Sequence, residues 1–178
     1  MNRRARAALG LTLVSIVVAG CFSTGDQIVT FPPASFGTGT TTAATAETRR
    51  LVEAALAAQG LQAAEPAVGH RPAESPTLTD APRLVLQVQL PDDPTHGYVT
   101  IYELKDGAAA DAAAREQAAY VGSGVGRVQF PPDTSFVIRT AGATVVFFAW
   151  SAANSPDART PRIETALETI GSAVEVPN

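Results

Sequence analysis

The chain has 178 residues, of which 46% are hydrophobic and 17% are charged, a composition typical of a globular domain rather than of a disordered or fibrous chain. Arg3, Arg4 and Arg6 lie in the first 20 residues, which contain no acid, so the rest of the chain carries 13 − 3 = 10 basic against 17 acidic residues, a net charge near −7. This balance disfavours nucleic acid as a partner, because neutralising phosphates requires clustered Lys or Arg side chains.

The first 20 residues have the pattern of an export signal. The three arginines precede a 14-residue apolar stretch at 7–20 that contains no charged residue. A helix needs roughly 20 apolar residues to span a bilayer, so this stretch is short for a permanent membrane helix and has the length of a signal-peptide core. Residues 1–20 are therefore predicted to be a signal peptide, and the general secretory route is favoured over twin-arginine export.

The signal ends in Val18-Ala19-Gly20-Cys21. This motif resembles the lipobox of bacterial lipoproteins, in which a branched apolar residue and two small residues precede the modified cysteine. The resemblance implies that Cys21, the only cysteine of the chain, receives a diacylglyceryl group on its sulfur and becomes the first residue after cleavage. Two or more acyl chains hold a protein stably at a membrane. We therefore expect an extracytoplasmic protein anchored to the cell membrane, or to the outer membrane if the cell has two.

The segment after the anchor is predicted to be a tether. Residues 21–45 are rich in Thr, Ser, Gly and Pro and show no sustained hydrophobic period, which is typical of a flexible spacer. The globular domain is predicted at 46–178.

The first half of this domain is predicted to contain one helix and two strands. Apolar residues at helical spacing predict a helix over 47–59, and a glycine follows it as the expected stop. Residues 62–82 are rich in proline and predict a long loop with a short edge strand at most. Apolar and polar residues alternate over 83–90, and a turn then leads to a second strand over 98–104.

The second half repeats this order. An alanine-rich helix is predicted over 108–120, with Asp106 as its N-cap. A loop is predicted over 122–132, and residues 127–130 within it could pair briefly as a strand. Two apolar segments at 136–140 and 144–151 predict a hairpin.

A final helix is predicted from Thr160 to Ile170, with apolar residues spaced i, i+3, i+4, i+7. The predicted order is α-ββ-α-ββ-α. Hairpins separated by helices favour an α+β fold with a single antiparallel sheet of about four strands and helices packed on one face.

Residues 50–171 resemble a group of small lipoproteins of high-GC bacteria. In that group a strand ending in Val-Tyr-Glu-Tyr leads into a helix rich in Ala and Asp, and a Phe-Tyr-Arg-x-Gly hairpin follows. This chain has one extra residue between Arg139 and Gly142. The resemblance implies a lipoprotein and carries no catalytic residue across. The main segments that carry it are Val99-Thr100-Ile101-Tyr102-Glu103, Phe136-Val137-Ile138-Arg139 and Val145-Val146-Phe147-Phe148.

The predicted turn at 91–97 contains the side chains best suited to metal binding or catalysis. Asp92, Asp93 and His96 offer carboxylate and imidazole groups, which are ligand types for a metal ion. Asp, Pro and Gly are also the residues that a polar turn requires for its backbone, so we favour a turn that holds no metal or cofactor. The alternative is an envelope-associated hydrolase with its site near Asp93 and His96, and an ordered pair of these residues in a cleft would favour it.

The predicted strand 144–151 is apolar on both faces. Val146, Phe148 and Trp150 share one face, with Arg139 of the neighbouring strand among them. Either the loop at 62–82 covers this face within the chain, since central strands are often apolar on both sides, or a partner or a second copy covers it. Exposed, these four residues would form an apolar patch of the kind that marks an interaction surface.

These observations favour a membrane-tethered, non-catalytic binding or envelope-accessory module with a protein partner in the cell envelope. They leave the ligand and the oligomeric state open. A transport solute-binding protein is disfavoured, because such proteins clamp a ligand between two lobes and this chain has the length of one domain.

Overall fold

The structure is a computed structural model that describes residues 42–177. The predicted signal peptide, Cys21 and the tether as far as residue 41 lie outside the described residues. None of the helices within 42–177 combines the length and the apolar character that crossing a bilayer requires. The elements in chain order are α1 (Ala43–Ala58), β1 (Ala63–Ala64), α2 (Pro76–Asp80), β2 (Arg83–Val88), β3 (Tyr98–Glu103), α3 (Gly107–Gly122), α4 (Gly124–Arg127), β4 (Thr134–Ala141), β5 (Thr144–Ser151), α5 (Thr160–Leu167) and β6 (Ser172–Ala173).

The strands of the described part form a single antiparallel sheet in the order β1-β2-β3-β5-β4-β6. The prediction of an α+β fold with one antiparallel sheet is confirmed. The predicted number of about four strands is wrong, because β1 and β6 add two residues each at the two edges. Two residues are too few to give an alternating pattern that a sequence can reveal.

Helices cover both faces of the sheet, which corrects the prediction that they pack on one face. One core lies between the sheet and helices α1 and α5. The other lies between the sheet and helix α3, with α2 beside it. Strand β5 requires a core on each face of the sheet, since Val146 and Phe148 enter the first core while Val145 and Phe147 enter the second. A strand that is apolar on both faces is stable only when each face is removed from water.

Helix α1 begins earlier than predicted and ends as predicted. The Thr42 side chain accepts a hydrogen bond from the Thr45 amide and caps the helix, so residues 42–45 belong to the folded domain and not to the tether. At the other end Gly60 has a φ of +71°. The amide of Leu61 donates to the Leu56 carbonyl at 2.9 Å, which closes a Schellman motif.

The hairpin of β4 and β5 turns through Gly142 and Ala143, because Ala141 pairs with Thr144. Gly142 has a φ of +57°, which a two-residue hairpin loop demands. The loop lies one residue later than a turn through Ala141 and Gly142 would place it. This changes the pairing register by two residues, so every side chain keeps its predicted face. The predicted brief strand at 127–130 is wrong, since helix α4 and a turn occupy this region.

Candidate functional site

The four residues predicted as a candidate interaction surface do not form one. Val146 and Phe148 are both 0% exposed, because helices α1 and α5 cover this face of the sheet. Trp150 is half-buried against the same core, and its Nε1 donates to Glu164 at 2.8 Å. The second face is thus covered by helices of the same chain, whereas the sequence predicted the loop at 62–82, a partner or a second copy as its cover.

Arg139, the fourth of these residues, has a structural partner. Its guanidinium donates to the carbonyls of Glu168, Ile170 and Gly171 at 2.6–3.0 Å. Carbonyls that follow the end of a helix lack an amide donor from the helix itself. Arg139 therefore ties the end of α5 to β4 rather than contacting a partner.

A cleft of about 200 Å³ opens at one end of the sheet, where strands β3 and β4 begin and strand β5 ends. The loop after β1, the loop after α4 and the loop after β5 complete its walls. It lies on the α3 side of the sheet, since Phe147 and Ala149 line it. The lining residues are His70, Pro72, His96, Gly97, Tyr98, Phe130, Pro131, Thr134, Phe147, Ala149, Trp150, Ser151, Asn154 and Ser155.

Asp93 and His96 form an ordered pair at this cleft. Asp93 Oδ1 lies 2.5 Å from His96 Nδ1. The Asp93 side chain is 3% exposed and the His96 side chain 47% exposed, so the carboxylate is buried behind an accessible imidazole. A hydrogen bond from Nδ1–H to this carboxylate would leave Nε2 as the ring nitrogen available to a ligand.

The loop that carries this pair is fastened to the loop after β5. The Asp92 amide donates to Asp157 Oδ2 at 3.2 Å, and two nitrogens of the Arg159 guanidinium donate hydrogen bonds to the same carboxylate. These contacts hold the pKa of Asp157 well below its ordinary value, mainly through the Arg159 side chain. Gly97 has a φ of +80°, and an added Cβ would lie 3.0 Å from Leu90, so the turn needs glycine there.

His70 joins His96 at the cleft although 26 positions separate them in the sequence. Its ring stacks on Tyr98 with centroids 3.9 Å apart and planes within 6°. Burial lowers the pKa of His70, and the neighbouring His96 lowers it further, while Glu74 opposes the shift. The lowered pKa favours the neutral His70 ring, which forms part of an aromatic wall of the cleft.

Two hydroxyl side chains occupy the β4 and β5 side of the cleft. Ser151 Oγ donates to the Asp133 carboxylate at 2.7 and 2.8 Å, which lowers the pKa of Asp133. Thr134 Oγ1 is buried and finds no hydrogen-bond partner among the described residues. A buried hydroxyl without a partner costs about 1–3 kcal/mol, which a ligand hydrogen bond would relieve.

The sequence pointed to Asp93 and His96 but gave no signal for the rest of the cleft. His70, Tyr98 and Thr134 come from three separate segments, and only the fold brings them together. Among residues 42–177 there is no cluster of three or more His, Cys, Asp or Glu side chains that could hold a metal ion. The absence of a cofactor stays a prediction.

Comparisons of the chain with protein-family models, with curated protein sequences and with solved structures found no match.

Proposed function

We propose that this protein is a lipid-anchored extracytoplasmic module that binds a small ligand in the cleft without converting it. The observation that carries the binding function is the cleft itself, in which aromatic side chains from three elements meet a few hydrogen-bonding groups. Mostly apolar concave sites with a few placed polar groups are the usual form of small-molecule sites. Because helices α1 and α5 cover the apolar sheet face, that face does not favour a protein partner.

The anchor is proposed from the sequence. Cys21 follows a short apolar stretch and two small residues, and it is the only thiol available for lipid. Each buried acyl methylene contributes roughly 0.8 kcal/mol to membrane binding, so two chains suffice to hold the domain at the surface. The proposed location is the outer face of the cell membrane, or the outer membrane where a second one exists.

Replacement of Cys21 tests the anchor. We expect the native protein to incorporate an alkyne-tagged fatty acid in growing cells and Cys21→Ser to incorporate none, because serine offers no thiol for the diacylglyceryl transfer. Ser23→Ala, two residues away, should label like the native protein. An unlabelled native protein in cells whose other lipoproteins are labelled would contradict the proposal.

An envelope-associated hydrolase is the second candidate function, and the ordered Asp93–His96 pair favours it. The pair supplies the base and the group that orients it in hydrolases. Ser151 is the candidate nucleophile of the cleft that has a defined partner. Its hydroxyl donates a hydrogen bond to the Asp133 carboxylate rather than to the His96 ring. A hydrolase would consume a compound that occupies the cleft, and His96→Gln would abolish this consumption while leaving the fold intact. If the bound compound is instead recovered unchanged, the binding module is favoured.

A further inference from the structure

We propose that the cleft takes a neutral sugar ring, as a free sugar or as the end of a glycan chain. This inference rests on the proposed binding function and names its ligand class. It follows from three properties of the lining: its aromatic surfaces, its lack of charge and its hydrogen-bonding groups.

The aromatic surfaces suit the faces of a sugar ring. Tyr98 is held flat by the stacked His70 ring, and Phe130 also lines the cleft, whereas the Trp150 indole packs on the α1 and α5 side of the sheet and borders the cleft from the end of β5. Aromatic rings of this kind provide large, rigid contact area at low entropic cost. The C–H groups on the face of a sugar ring can pack on them.

The lining is uncharged. Among residues 42–177, the side chains that line the cleft include no Asp, Glu, Lys or Arg. Asp93 is buried behind His96, and Asp133 is engaged by Ser151 and by the Ala153 amide. A charged ligand would lose hydration in this cleft without gaining an Asp, Glu, Lys or Arg partner from the lining. A neutral ligand is therefore favoured over a phosphate, a carboxylate or an ammonium compound.

The polar groups suit hydroxyls. Asn154 offers both an amide donor and a carbonyl acceptor, His96 offers Nε2, and Thr134 Oγ1 is buried without a partner in the described residues. Hydroxyl groups both donate and accept, so they can pair with donors and with acceptors of this kind. A purely apolar ligand would leave the Thr134 hydroxyl unpaired. A volume of about 200 Å³ is below the roughly 300–1,000 Å³ of sites for drug-sized ligands and suits one ring rather than several.

Trp150, the only tryptophan, reports on the site. The full chain is titrated with glucose, galactose and N-acetylglucosamine, with their methyl glycosides, and with the charged relatives glucuronate and glucosamine. We expect at least one neutral sugar to change the Trp150 fluorescence saturably and its charged relative to bind at least about tenfold more weakly. Binding of the methyl glycoside identifies the end of a glycan chain as the natural form, and its rejection identifies a free sugar; both support the proposal.

Two variants locate the binding. Asn154→Ala removes an exposed side chain and Thr134→Val removes one hydroxyl at nearly constant shape, so both should fold. Each should weaken sugar binding about five- to tenfold, whereas the matched surface change Val128→Ala, at a residue 81% exposed, should leave it unchanged.

The outcomes separate the ligand class from the binding function. If no sugar binds but choline or phenol shifts the Trp150 signal, the sugar proposal is overturned and the binding function stands. If a sugar binds equally well to both variants, it occupies another place and the proposal is overturned as well. If none of these probes binds, both the sugar proposal and the binding function fail.

Discussion

Glu74→Ala is expected to lower the free energy of unfolding by about 3–5 kcal/mol, the range for removing one partner of a buried ion pair. The Glu74 side chain is 1% exposed. Its carboxylate accepts hydrogen bonds from Arg71 and Arg83 and, at 2.8 Å, from the hydroxyl of Tyr102. Arg71 is half-exposed and can return to water, whereas Tyr102 is 0% exposed and cannot. Urea denaturation followed by Trp150 fluorescence measures the loss.

The control is Glu175→Ala, which removes an exposed carboxylate near the C-terminus and should change stability by less than about 0.5 kcal/mol. Glu74→Gln keeps an acceptor for the Tyr102 hydroxyl and should cost less than Glu74→Ala. Equal stability of Glu74→Ala and Glu175→Ala would show that Glu74 is not the buried centre of this network.

This network also determines where His70 lies. The amide of Ser75 donates to Gln117 Oε1 at 2.7 Å, and Gln117 Nε2 donates to the Ala73 carbonyl at 2.9 Å. Residues 73–75 are therefore held on both sides of Glu74, against α3 and against β3. The end of the loop that carries His70 to the cleft is therefore held by buried polar contacts.

Phe148→Ala is expected to cost about 3–5 kcal/mol of stability, the range for Phe→Ala changes in a closed core. Phe148 is 0% exposed and pairs with Val99 of β3 on one side and Val137 of β4 on the other. Helices α1 and α5 close the core above it, so removing the ring leaves a cavity that the rigid sheet cannot fill. The same denaturation experiment measures the change.

Val128→Ala is the matched control, because this apolar side chain is 81% exposed and its truncation should change stability by less than about 0.5 kcal/mol. If Phe148→Ala is as stable as Val128→Ala, the face is open to solvent or to a partner. That result would restore the interaction surface that the sequence suggested.

The longer elements could be predicted from the sequence because their patterns are local. The end of α1 follows from Gly60, the cap of α3 from Asp106, whose carboxylate accepts from the Ala109 amide at 2.8 Å, and the faces of the hairpin from its alternation. The second helical layer could not be derived in the same way. Alanine-rich α3 has only a weak apolar stripe, so nothing local says which side of the sheet it covers.

The candidate site was predictable only where its residues are close in sequence. Asp93 and His96 lie three positions apart in one turn, and their pairing could be anticipated. His70 and Trp150 reach the cleft through long-range contacts that depend on the strand order β3-β5-β4. Arg139 was predicted to belong to an interaction surface because it is a charged residue among apolar ones. In the structure it donates hydrogen bonds to carbonyls at the end of α5.

The two-residue strands β1 and β6 have a consequence for neighbouring molecules. A long, exposed outer strand offers unpaired amides and carbonyls to another chain and promotes aggregation. Here the terminal ladders are brief, and each is interrupted before it could template a further strand. For a protein proposed to be anchored at a membrane surface, such short edge strands disfavour polymerisation of one copy onto the next through sheet edges.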